Sequence, residues 1–228
     1  MGSEYNFSAT FSNHITRDDC GVKQKIDISL KKQAKQGRSI ATVAAISEAA
    51  TYILRHDGPR GFTANKVCEK AGVNIASFYQ YFPNKQALLF HVVKSVWERQ
   101  FARLSPILLR PGSDHSSKLR AFIREFFRIE ASEADLRQAL KTAAIDLKDT
   151  KEFQDLIAEG AALTKAFIKD ALKVPDAENL DFNVNFIVLL VTSFAERTTD
   201  ERVAPAKLIR QADLLSDMLI AHFGIPSG

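Results

Sequence analysis

Apolar side chains recur at three- and four-residue spacing through most of this chain. The first such stripe is Val43, Ile46, Ala50, Ile53 and Leu54, which is the pattern of a helix with one buried face. Ser39 stands before it as a competent N-cap, and Asp57-Gly58-Pro59-Arg60-Gly61 ends it. A second, short stripe follows the N-cap candidate Thr63, with Val67 and Ala71 on one face, and Gly72 breaks it. Only about ten residues then separate Gly72 from Pro83; because proline disfavours helical backbone in the residue before it, a helix in that interval should stop near Tyr81 or Phe82. Asn84 can cap the next helix, which carries Leu88, Leu89, Val92, Val93, Val96 and Trp97 and is expected to end near Leu104, ahead of Pro106.

Beyond Pro111-Gly112 the helical period continues through roughly 115–130, 133–148, 150–173, 181–199 and 205–223, with breaks at Val174-Pro175 and near Ala204-Pro205. No window alternates with period two for long enough to argue a sheet, and no internal repeat is evident. The pattern predicts an all-α protein in three parts. Residues 1–38 form a polar, then basic, extension expected to be disordered in the absence of a partner. Residues 39–84 form a compact group of short helices, and residues 85–228 form a longer helical domain.

Charge sharpens this division. The net charge of +4 is unevenly spread: residues 23–99 hold thirteen Lys or Arg against five acids, whereas residues 100–228 hold seventeen against nineteen. A basic module joined to a nearly neutral one points to an anionic partner for the first, with nucleic acid leading. The run Lys31, Lys32, Lys35 and Arg38 reads either as an arm along a phosphate backbone or as solvated charge. No apolar run is long enough for a membrane span and the polar start lacks the apolar core of a signal peptide, so a cytoplasmic location is expected.

Aromatic residues crowd into Phe78-Tyr79-Gln80-Tyr81-Phe82, just before Pro83. A short helix from Thr63, a turn at Gly72-Val73-Asn74 and a second short helix to about Tyr81 make a helix-turn-helix, whose second helix enters the major groove. Phe78 and Phe82 are four apart and share the inward face. Ile75, Ala76, Tyr79 and Gln80 then lie roughly opposite, flanked by Ser77 and Tyr81. The hydroxyls of Tyr79 and Tyr81 suit phosphate oxygens, small Ala76 and Ser77 allow close approach to bases, and Gln80 can pair with an adenine edge. Thr63 and Lys85 sit where helix dipole or side-chain charge favours a phosphate.

Thr63, Val67, Ala71-Gly72-Val73, Phe78-Tyr79, Tyr81-Phe82, Lys85 and Leu88-Leu89, at these spacings, resemble the DNA-binding domain of the TetR family of bacterial transcriptional regulators over residues 39 to about 90. The resemblance implies phosphate contacts from Thr63, Tyr79, Tyr81 and Lys85, and base contacts made or surrounded by Asn65, Asn74, Ile75, Ala76, Ser77 and Gln80. It also implies a double-stranded DNA operator, a homodimer, and a small-molecule effector in the C-terminal helices. The aromatic positions Phe122, Phe126, Phe127, Phe153 and Phe167 are the candidate effector lining, with packed core as the alternative for each. The last two helices offer Phe186, Leu190, Phe194, Leu208, Leu215 and Leu219 as a candidate dimer interface, with burial inside one subunit as the alternative.

Enzymatic chemistry has no support in the motifs. The five histidines are scattered, the two cysteines have no metal spacing, and HExxH, G-x-S-x-G and phosphate-binding glycine loops are missing. No cofactor or metal is therefore expected. The competing readings are a helical adaptor whose basic face binds an acidic protein, and a DNA-binding regulator that needs no effector. The expected function is a sequence-specific regulator, a repressor released by a small, largely apolar effector.

Overall fold

The computed structural model describes residues 26–31, 37–172 and 177–226. The polar tail, Lys32, Lys35 and the Val174-Pro175 break lie outside the described residues. Among those described the chain is helical with no strand, and ten α-helices follow one another: α1 (Gly37–His56), α2 (Gly58–Gly61), α3 (Ala64–Ala71), α4 (Ile75–Tyr81), α5 (Lys85–Leu109), α6 (His115–Ser132), α7 (Ala134–Ala143), α8 (Lys151–Leu172), α9 (Ala177–Asp200) and α10 (Pro205–Phe223). A short 3-10 turn, Ile145–Leu147, follows α7. None of the described helices is long and apolar enough to cross a membrane.

Several boundaries differ from the sequence expectation: α1 starts at Gly37 with Ser39 inside it, the helix expected over 133–148 ends at Ala143, and α9 starts at Ala177 rather than 181. Helix α5 does not end before Pro106 but runs through it to Leu109. A proline removes a single helical hydrogen bond, and here Leu104 and Leu108 are buried on either side of it and anchor both halves. Between α1 and α3, Gly58–Gly61 closes a helical turn of its own with Pro59 in the first positions, where its missing N–H costs nothing.

The chain divides into two compact units. One comprises the described part of Ile15–Glu98 together with Asp135–Asp155; the other comprises Arg99–Ala134 and the described part of Leu156–Gly228. The division falls inside α5, between Glu98 and Arg99, and nearly all of α7 belongs with the N-terminal unit.

In the N-terminal unit α1 packs on α2 and α3, and α3 on α4. Ile46, Leu54, Val67, Phe78, Phe82 and Leu88 have no exposed surface. Burying side chains of this size contributes about 1.5–3 kcal/mol each relative to exposure, so these few residues carry much of the unit's stability. In the C-terminal unit α6 packs against α10 and α9, and α9 against α10. Their shared core includes Ile123, Phe127, Ile168, Val184, Ala195, Ala212 and Leu215. Salt bridges border this core: Arg124 forms a two-pronged pair with Asp213, and Arg120 bonds Asp217 at 2.6 Å.

Candidate DNA-binding face

Local capping sets the two short helices. The Thr63 hydroxyl accepts from the Lys66 amide at the start of α3, and Gly72 closes that helix in the left-handed conformation (φ 67°), which glycine adopts without a Cβ penalty. Two residues on, the Asn74 side-chain oxygen accepts from the Ser77 amide at 2.7 Å and starts α4. The Asn84 side-chain oxygen does the same for the Ala87 amide at 2.8 Å, so that α5 begins at once after Pro83. With its oxygen used as a cap, Asn74 keeps both amide hydrogens and one oxygen lone pair for a partner.

Helix α4 is mounted by its phenylalanines. Phe78 and Phe82 are wholly buried, their rings 5.7 Å apart, and Phe82 meets the His91 ring at 5.6 Å. Burial holds the His91 imidazole below its ordinary pKa, so it packs as a neutral ring at neutral pH. Likewise burial pushes the Cys68 thiol up, which removes thiolate character. Lys70 of α3 sits 3.7 Å from the Tyr52 ring centroid of α1, a cation–π contact that ties α3 to α1.

Opposite this mounting, Asn74, Ile75, Ala76, Tyr79 and Gln80 are exposed, as are Thr63, Asn65 and Lys85; Ser77 is half-buried. One candidate departs from expectation. Tyr81 is only 7% exposed and belongs with the mounting. At 100° per residue it lies about 60° from Phe78 around the helix, nearer the buried face than Tyr79 does on its side. Phe78, Tyr81 and Phe82 thus form one inward set with spacing three and four.

A segment that periodicity did not single out docks where α4 ends and α5 begins. Residues 26–31, expected to be disordered, lie as an irregular, bent segment against the end of α4 and the start of α5: Ile28 is buried, the Lys31 amide donates to the Tyr81 carbonyl at 3.0 Å, and the Asn84 side-chain amide donates to the Asp27 carbonyl at 2.8 Å. The alternation Ile26, Ile28, Leu30 with Asp27, Ser29, Lys31 is the signal of a segment with one side down, though too short to stand out.

In the C-terminal unit, Phe127 and Phe167 are buried in the core, and Phe122 and Phe126 are partly buried against it, with their rings parallel at 6.4 Å. Phe153 is not with them; it belongs to the N-terminal unit. Leu208, Leu215 and Leu219, expected at a dimer interface, are buried inside their own subunit, because α10 turns that stripe toward α6. Leu190 and Phe194 are partly buried against the same core. Among the described residues, the large apolar side chains that α9 and α10 leave exposed are Phe182, Phe186, Leu189, Leu214 and Met218; Leu109 at the end of α5 is exposed as well. Among the described residues no group of three or more His, Cys, Asp or Glu is placed to hold a metal ion.

Residues 38–92 match the family model described as bacterial regulatory proteins, tetR family. No curated protein matches the chain in sequence. Several solved structures share the fold. FadR from Bacillus subtilis, crystallised in complex with stearoyl-CoA, aligns with a TM-score of 0.64 at 14% identity over 78% of this chain and 97% of that one. The fatty acid degradation regulator FadR from Bacillus halodurans gives 0.64 at 14% identity, over 85% and 100%. A tetR-family transcriptional regulator from Streptomyces coelicolor gives 0.63 at 17% identity, over 80% and 82%.

Proposed function

We propose that this chain, whose residues 38–92 match the model of the tetR family of bacterial regulatory proteins, is a DNA-binding regulator that works as a homodimer, reads an operator with α4 and releases it on binding a small, largely apolar effector. The observation that carries this reading is the two-sidedness of α4: Phe78 and Phe82 are fully buried, while Tyr79 and Gln80 are exposed. Thr63, Tyr79 and Lys85 contact phosphates and fix the register, while Asn65, Asn74, Ile75, Ala76, Ser77 and Gln80 make or border the base contacts. Tyr81 supports the helix from behind.

Dimerisation uses the apolar side chains that α9 and α10 leave exposed, Phe182, Phe186, Leu189, Leu214 and Met218, with Leu190 and Phe194 behind them. Phe182 and Phe186, stacked and exposed on one helix, leave apolar area that a partner surface can cover. Pairing two copies sets two recognition helices about one DNA turn apart, roughly 34 Å, as a near-palindromic site requires.

The effector enters among the aromatic side chains of the C-terminal unit, where Phe122 and Phe126 border the core. Stearoyl-CoA, bound by the Bacillus subtilis neighbour, is the first compound to test, since a long acyl chain suits such surroundings. Helix α5, with residues in both units, carries the change from effector to reading head. An effector only shifts an equilibrium by its differential affinity for the two states. Reciprocity therefore tests the mechanism. An acyl-CoA that weakens operator binding by some factor binds the operator complex less tightly by the same factor, measurable by calorimetry with and without duplex. Equal acyl-CoA affinity in both titrations, alongside a weakened operator, would refute it.

A further inference from the structure

The docked segment 26–31 lies outside the span 38–92 matched by the family model, and nothing in a helix-turn-helix demands it. Three independent contacts nonetheless hold it: the buried Ile28 side chain, the Lys31 amide on the Tyr81 carbonyl, and the Asp27 carbonyl on the Asn84 side-chain amide. The Asp27 carboxylate further bonds the Ser29 amide and hydroxyl at 3.0 and 2.6 Å and stiffens the turn within the segment. Two of these anchors are at α4's C-terminal end and the start of α5. The Lys31 backbone is thereby fixed beside the last residue of the recognition helix, four positions before Lys85, and its side chain is exposed.

A lysine on a free tail reaches phosphate only after the tail's conformational entropy is lost, about 1–2 kcal/mol per residue fixed. Here the folded protein has already ordered that backbone. The Lys31 side chain is exposed, and the Asp27 carboxylate of the same segment bonds Ser29. We infer that residues 26–31 are a built-in strap on the DNA-binding face, and that Lys31 makes an additional, sequence-independent contact to the operator's phosphate backbone beyond those of the helix-turn-helix. The inference rests on the reading of α4 as the DNA-facing helix.

The test uses the full-length protein and a duplex of arbitrary sequence long enough for two recognition helices one turn apart, titrated by fluorescence anisotropy over a salt series. Each phosphate contact contributes about −0.9 to the slope of log affinity against log salt, so Lys31→Gln should shallow the slope by about 0.9 per protomer and weaken binding alike on unrelated duplexes. Ile28→Ser and Asn84→Ser, which retain every cation and, in the second case, an N-cap for α5, should weaken binding in the same sequence-independent way. Lys207→Gln, an exposed charge on α10, controls for net charge and should leave the slope unchanged. Circular dichroism separates an undocked strap from an unfolded domain. If Lys31→Gln matches Lys207→Gln while Lys85→Ala still weakens binding, the strap's role is refuted and the reading of α4 survives. If Lys85→Ala also has no effect, or the wild-type protein binds no duplex, both fall.

Discussion

The rings of Phe182 and Phe186 stack one turn apart on α9, 6.3 Å between centroids and 9° from parallel, and both are open to solvent. Leaving two phenylalanines uncovered forgoes burial energy that a partner surface would restore. Phe186→Glu should therefore give a folded protein whose dimer dissociates, seen as a halved mass by light scattering and a loss of operator affinity. Leu215→Ala, by contrast, removes a side chain buried within the subunit and should destabilise the fold by about 2–5 kcal/mol. A Phe186→Glu protein that stays dimeric would place the interface elsewhere.

Phe78→Ala should cost about 3–5 kcal/mol of stability, because its ring is wholly buried, and is read by chemical denaturation. Tyr79→Phe should leave stability nearly unchanged and weaken DNA binding on many sequences alike, since it deletes one exposed hydroxyl. Tyr81→Ala should behave like the Phe78 variant in denaturation, because Tyr81 lies on the same inward face.

Lys85→Ala and Gln80→Ala should separate positioning from reading. The lysine variant is expected to bind all duplexes more weakly, with a shallower salt dependence, whereas the glutamine variant should retain non-specific affinity and relax preference by about 1–3 kcal/mol at the base it reads. Competition binding against a randomised duplex pool measures both. Altered base preference without weakened binding in Lys85→Ala would contradict the phosphate assignment.

Acid should weaken the C-terminal unit before it affects the helix-turn-helix. The Arg124 guanidinium holds the Asp213 carboxyl below its ordinary range, and hydrogen bonds from Ser116 and Ser117 hold Asp114 below it as well. A carboxylate with a depressed folded-state pKa contributes stability that is complete above the unfolded value, about 3.9, and disappears as pH falls through the folded value. Thermal melts should thus be flat near neutrality with respect to these groups and fall below about pH 4. Asp213→Asn should lower the melting temperature at neutral pH and flatten that acid dependence; an unchanged acid profile would show that the pair does not govern it.

Much of this molecule was legible one helix at a time. Thr63, Asn74 and Asn84 marked starts, Gly72 and Pro83 marked stops, and the apolar spacing gave each helix its inward face, because capping and amphipathicity act within a turn or two of chain; Ser39 does not cap α1, which begins at Gly37 and takes it in as its third residue. The inward pair Phe78 and Phe82 followed from spacing alone. Spacing does not say which neighbour covers a stripe. Leu208, Leu215 and Leu219 could have met a second subunit or helix α6, and only packing against α6 decided it, leaving Phe182, Phe186, Leu189, Leu214 and Met218 outside. Tyr81 is inward, and its own carbonyl accepts from the Lys31 amide, fifty positions earlier in the chain. Contacts at that separation depend on how the whole unit closes, which no local period encodes.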